Sequence, residues 1–252
     1  MKFPLGAWSV VTGVSGAGKS SLVLQTLYPN LMNLVASANG KSKVKPGFVH
    51  CRRVTGAEQV TAVHLVDRRP IAKSGVSMPV TYLDVLGELR DLYAAQSDSQ
   101  VMGFTARSFS LSVEGGRCPE CKGRGEMSLT MRFLADARVR CPVCKGQRFQ
   151  SAILGVHYLG LSLAQVLELT LDEALEHFKN HRKIVQRLTP AVELGLGYLK
   201  MGQPSASLSG GEAQRLKLVP YLGRKIDAGT VLVLDEPTTG LHFACLLYTS
   251  DA

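Results

Sequence analysis

The chain has 252 residues, 45% of them hydrophobic, enough for one or two buried cores. No apolar run approaches the roughly 20 residues a membrane-spanning helix needs and no signal-peptide pattern is present, which argues against an integral membrane protein. A formal charge of +9 suits a polyanionic partner, and four of the 6 cysteines form two CxxC pairs, which without a secretory signal favours metal over disulfides.

Trp8 to Thr12 reads as a short buried strand that runs into Gly13-Val14-Ser15-Gly16-Ala17-Gly18-Lys19-Ser20. Ser21 to Leu27 follows with helical character. Strand, GxxxxGKS, helix is the setting of a phosphate-binding loop. The backbone around Gly13, Ser15, Gly16, Gly18 and Ser21 would cradle phosphates, Lys19 would reach the β- and γ-phosphates, and the Ser20 hydroxyl would ligate Mg²⁺. Leu31 to Lys45 reads as a polar loop, with Lys41, Lys43 and Lys45 either solvated or touching nucleic acid. Thr61 to Val66 reads as a strand leading into Asp67-Arg68-Arg69-Pro70, and Thr81 to Ala95 has helical spacing. His64, His157, His177 and His181 have no ligand or catalytic spacing and read as structural; Cys51 and Cys245 read as ordinary thiols.

Cys118-Pro-Glu-Cys121-Lys-Gly and Cys141-Pro-Val-Cys144-Lys-Gly are separated by residues 122–140, inside the spacing of a four-cysteine zinc site. Four thiolates would fill a tetrahedral shell and leave no position for water, so the zinc reads as structural. Between the knuckles, Met127, Leu129, Met131 and Phe133 alternate with polar residues as in a half-buried strand, and Val139 and Arg140 belong to a returning one. Lys122, Arg124, Arg132, Arg138, Arg140, Lys145 and Arg148 crowd this hairpin. Two readings stand: a surface for DNA phosphates, or a rigid clip whose charges are merely solvated.

Gly160 to Lys200 reads as largely helical, with Ser162 as a cap and Thr170-Leu171-Asp172-Glu173 as a capping box. Pro190 ends a segment and Gly195-Leu196-Gly197 marks a turn. Leu208-Ser209-Gly210-Gly211-Glu212 then opens a helix whose Ser209, Gly210 and Gly211 amides can face phosphate oxygens. Thr230 to Leu234 reads as a buried parallel strand ending in Asp235 and Glu236. There Asp235 would hold magnesium and Glu236 would act as general base toward water. The three motifs in this order form the signature of ABC-type ATPases. The expected fold is α/β: a P-loop ABC-type ATPase core with an inserted helical signature region carrying a four-cysteine zinc hairpin. The expected division is a P-loop part at 1–75, a helical insert at 76–200 with the zinc module at 115–150, and a signature and Walker B part at 201–244. Residues 245–252 read as a non-native tail, excluded from the fold argument.

From about Pro4 to about Ala244 the chain resembles the second nucleotide-binding half of the UvrA family, the damage-sensing ABC ATPases of bacterial nucleotide excision repair. Val11 to Gly16, Gly115-Gly116-Arg117-Cys118, the two knuckles, Gly202-Gln203, Leu208 to Arg215 and Leu234 to Phe243 carry the likeness. The resemblance implies a cytoplasmic, dimeric protein that uses ATP, Mg²⁺ and Zn²⁺, scans duplex DNA and loads the UvrB helicase subunit. It also implies a further ATPase half upstream and a switch histidine downstream, so the chain is expected to be a fragment with weak or absent hydrolysis of its own. Two departures stand out. Arg68 occupies the family's Q-loop glutamine position, and Pro220 lies where the signature helix should continue. A UvrA-like paralogue protecting against DNA-binding drugs and a non-catalytic zinc DNA-binding fragment are the alternative functions.

Overall fold

A computed structural model describes residues 1–40, 47–71, 76–129, 137–222 and 227–237. The chain divides into two compact units, one of Met1–Arg68 with Gly223–Ala252 and one of Arg69–Leu222.

In the first unit, Ser21–Leu27 winds as a π-helix and passes into α1, Tyr28–Ala38. The sequence reading made α1 from Leu31 on a loop because the stretch to Lys45 is polar, with glycine and lysine. Asn30 explains the helix: its buried side chain donates to the Thr26 and Val49 carbonyls (2.6 and 2.9 Å) and accepts from the Val49 N–H (2.8 Å), tying the helix to the loop that follows. Strand β1, Ala62–Val66, pairs in parallel with β6, Thr230–Leu234, in the register Ala62↔Thr230 to Val66↔Leu234. Leu31, Val60, Val63 and Val233 form the buried centre of this unit.

Residues 8–12 are not a strand of that sheet, and Trp8 is 87% and Val10 80% exposed. Extended chain gains strand stability only against partners, and the sheet here has two strands among the described residues. The same shortage of neighbours explains β6, where Val233 is the one fully buried residue of a strand expected to be buried throughout.

The second unit is helical around one core. Pro79–Tyr82 (α2) and Val85–Ala94 (α3) are separated at Asp84, whose φ of 58° breaks the single helix expected there. Ser97–Val101 (α4) precedes a hairpin of β2, Glu126–Leu129, and β3, Ala137–Arg140, in antiparallel register from Glu126↔Arg140 to Leu129↔Ala137. Ser151–Leu154 (α5) and the short pair β4, His157–Tyr158, and β5, Leu161–Ser162, lead to α6, Leu163–Glu168, α7, Leu171–His177, and α8, Arg182–Ala191.

The expected cap at Ser162 and capping box at Thr170 both form, each as a full box: Ser162 accepts from the Gln165 N–H and Thr170 from the Glu173 N–H, each answered by the longer side chain. Pro190 sits in the last turn of α8, and Gly195 at φ 70° makes the bend beyond it. Helix α9, Gly210–Leu218, closes the unit. It stops two residues before Pro220, which occupies a single 3₁₀ turn, Val219–Tyr221. The core joins Met78, Val85, Leu89 and Tyr93 to Phe109, Phe149, Leu163, Leu171, Phe178, Leu188 and Leu216. The Leu208–Arg215 stretch, grouped from sequence with Walker B, thus lies in the same unit as the cysteine hairpin.

Candidate functional site

The two CPxCKG knuckles fold alike. Lys122 and Lys145 take φ values of 52° and 50°, and Gly123 and Gly146 follow at 79° and 89°. Two consecutive left-handed residues reverse the chain tightly enough to bring an N–H back onto the sulfur four residues earlier. Gly125 N–H donates to Cys121 Sγ at 3.2 Å and Arg148 N–H to Cys144 Sγ at 3.4 Å. Gly123 cannot be replaced, since a Cβ there would lie 2.6 Å from the Leu111 carbonyl.

The four sulfurs lie within 4.8 Å of one another and are buried, with Cys118–Cys141 at 3.9 Å and Cys121–Cys144 at 3.6 Å. A tetrahedral Zn–S shell of about 2.3 Å bonds has sulfur–sulfur edges of about 3.8 Å, so the donor set fits this ion. Backbone N–H groups, that of Cys144 foremost, hold the Cys141 thiol down at about 7, a ready thiolate. Burial pushes the Cys121 and Cys144 thiols up. Among the described residues, Met127 packs on the cluster as a partly buried apolar neighbour; Met131 and Phe133 lie outside them.

Of the basic residues expected to face DNA, Lys122, Arg124 and Lys145 are exposed, as are Arg138 and Arg140. Arg132 lies outside the described residues, as do Lys41, Lys43 and Lys45 of the earlier loop. Arg148 is a correction. It is 9% exposed, and its guanidinium donates to the Arg124 carbonyl at 3.0 Å and the Gly202 carbonyl at 2.9 Å. With its donors committed inside the protein, it has no reach to a phosphate.

In the first unit, Gly16 and Gly18 take φ of 80° and 85°, and the Ala17 N–H donates to the Val14 carbonyl at 3.2 Å to close the loop turn. Lys19 Nζ donates to the Gly13 and Val14 carbonyls (2.8 and 2.9 Å), folding its ammonium across the loop. Ser20 and Ser21 stand in the first helical turn, where backbone N–H groups lack helical acceptors. Such donors, with an ammonium beside them, fit a triphosphate.

At the ends of the paired strands, the Asp235 N–H donates to the Val66 carbonyl at 3.1 Å. Arg68 Nη2 meets Glu236 Oε2 at 2.7 Å, so the residue expected at the Q-loop position is ion-paired with the expected general base. Nothing in the sequence spacing announces this pair, because the partners are 168 residues apart.

In the second unit, Ser209 Oγ accepts from the Glu212 N–H (3.3 Å), and the Ser209 N–H donates to Glu212 Oε2 (2.6 Å). Tyr198 Oη donates to Glu212 Oε1 at 2.7 Å. Burial pushes the Glu212 carboxyl up, but the Tyr198 hydroxyl and the Ser209 N–H and hydroxyl outweigh it and hold it below the ordinary value. Gly210 and Gly211 open α9 behind this box.

These features define a mixed α/β protein with a four-cysteine centre of metal-binding geometry. Comparison with known proteins narrows the class. No family model matches the chain. Over 241 residues, 96% of its length, it is 43% identical to UvrABC system protein A of Clostridium perfringens. The counterparts in Staphylococcus aureus and Listeria monocytogenes are 43% and 42% identical over 95% and 96% of the chain. The chain spans about 25% of the length of these relatives. Among solved structures, UvrA2 from Deinococcus radiodurans superposes with a TM-score of 0.84 at 40% identity, covering 99% of this chain and 29% of that one. The resemblance to UvrA read from the motifs therefore holds over nearly the whole chain.

Proposed function

We propose that the chain is a portion of an ATP-dependent DNA-damage recognition subunit of nucleotide excision repair, acting as a dimer on duplex DNA with a UvrB-type partner. The observation that carries this reading is 43% identity to UvrABC system protein A across 96% of the chain. The amides of Gly13 to Ser21 and Lys19 would hold the phosphates of ATP, and Ser20 and Asp235 would hold Mg²⁺. Bound ATP–Mg²⁺ supplies a phosphoryl group activated for transfer to water. Glu236 would take the proton of that water, and Arg68 occupies one of its oxygens. Ser209, Gly210 and Gly211 would face the nucleotide of another ATPase half, since sites of this class are composite. The isolated chain is therefore expected to bind ATP and turn it over weakly or not at all. Cys118, Cys121, Cys141 and Cys144 would hold zinc, with Lys122, Arg124 and Lys145 on the DNA-facing surface.

Titrating duplex DNA at several salt concentrations tests the surface. Each phosphate neutralised contributes about −0.9 to the slope of log K against log salt. Replacing Lys122 and Lys145 by Ala should flatten the slope by up to about 1.8 while zinc is retained. A slope unchanged by both substitutions removes the hairpin from the DNA contact. A second reading, a UvrA-like paralogue protecting against DNA-binding drugs, is favoured by Arg68 at the Q-loop position and its pairing with Glu236. Complementation of ultraviolet sensitivity by the full-length gene separates the two.

A further inference from the structure

We propose that Arg148 is a positioning residue through which the four-cysteine centre sets the approach to the Ser209–Gly211 turn. The inference rests on the reading of Cys118, Cys121, Cys141 and Cys144 as metal ligands. Three features of one residue carry it.

First, the Arg148 backbone belongs to the centre. Its N–H donates to Cys144 Sγ at 3.4 Å and its carbonyl accepts from the Cys118 N–H at 2.7 Å, so both knuckles close on it. Second, its φ of 72° is unusual for a residue with a side chain, and a metal that fixes Cys144 Sγ also fixes that backbone. Third, the side chain leaves the centre. It crosses the backbone of the other knuckle at the Arg124 carbonyl and ends in a buried bond to the Gly202 carbonyl, 54 residues along the chain. A planar guanidinium bridging two carbonyls transmits orientation as a lysine ammonium does not.

The receiving end is equally constrained. Gly202 N–H donates to the Leu167 carbonyl at 2.7 Å, and a Cβ on Gly202 would lie 2.8 Å from Leu167 Cβ. From there the chain runs through Gln203 and Pro204 to Ser205, whose N–H donates to the Ser77 carbonyl at 2.8 Å, and so to the Ser209 cap. Gly202 is thus a fixed seat at the head of the signature approach. The Arg148 guanidinium is what joins that seat to the sulfurs.

The test is hydrogen exchange followed by mass spectrometry on the full chain, loaded with zinc or stripped by chelator, with metal content measured on the same samples. In the wild type, stripping should speed exchange of amides 202–209 at least about tenfold, the least that loss of a buried bond from a charged donor implies. Amides of α3 should not change. Arg148→Met loaded with metal should already exchange at the stripped rate in 202–209 and respond no further to chelator. Its Co²⁺ absorption spectrum should match wild type, showing intact ligands. Arg148→Lys should recover only part of the protection. If stripping leaves 202–209 unchanged in the wild type, the proposal is overturned without recourse to any variant. Metal-loaded Arg148→Met that exchanges like wild type overturns it too. A chain that takes up no metal overturns the ligand reading itself, a distinct result.

Discussion

Lys19 folds onto the Gly13 and Val14 carbonyls, so a phosphate entering the loop would exchange those two contacts for charge-assisted ones. Lys19→Ala should weaken binding of a fluorescent ATP analogue about 10- to 100-fold, the range for a hydrogen bond to a charged group, and leave thermal stability nearly unchanged because the bonds the half-buried side chain makes are exposed ones. Gly116 is a different case. A Cβ there would sit 1.8 Å from the Ser108 carbonyl and 2.7 Å from Ile153 Cγ1, a clash of backbone and core together. Gly116→Ala should cost about 1–3 kcal/mol or more, read as a fall in Tm of several degrees. The cysteines were legible because their spacing is itself the chemistry. Arg148 was not: it is one of seven basic residues in its stretch, and only the fold shows that it points to Gly202 and not to water.

Helix α9 begins with a cap that can be removed by itself. Ser209→Ala takes away the acceptor for the Glu212 N–H and should cost about 1 kcal/mol, seen as faster hydrogen exchange in the first turn of α9. The same box gives a pH dependence. Because the folded Glu212 pKa is depressed, its contribution is present above the ordinary glutamate pKa of about 4.3 and is lost as pH falls through the lower folded value. Acid titration followed at Tyr198 should therefore lag behind that of an unstructured glutamate.

The caps at Ser162, Thr170 and Ser209 could be read from sequence because each is complete within four residues. Residues 8–12 could not, since the alternation of a strand says nothing about whether a neighbour is there to pair with it. Helix α1 escaped for a related reason: its anchor is a buried Asn30 satisfied by Val49, a contact 19 residues away.

At the scale of the molecule the two units differ in what holds them. The second has a continuous helical core, plus a hairpin module in which, among the described residues, Met127 is the partly buried apolar residue against the sulfurs. Chelation should therefore remove the signal of the β2–β3 hairpin while most helical circular dichroism persists; loss of the whole helical signal would mean the centre supports the core as well. The buried centre of the first unit has four residues among those described. Chemical denaturation should melt it before the second unit, giving two transitions instead of one.

The parallel pairing of β1 with β6 sets a timetable for synthesis. Each strand end waits for a mate roughly 168 residues along the chain, the separation of Arg68 from Glu236. At about 5–20 residues per second, a ribosome takes on the order of ten to thirty seconds to deliver it. During that interval β1 is an open edge beside a nascent chain, while all of residues 69–222 emerges and can collapse first. The unit that carries the cysteines is thus complete in the nascent chain before the other has its second strand.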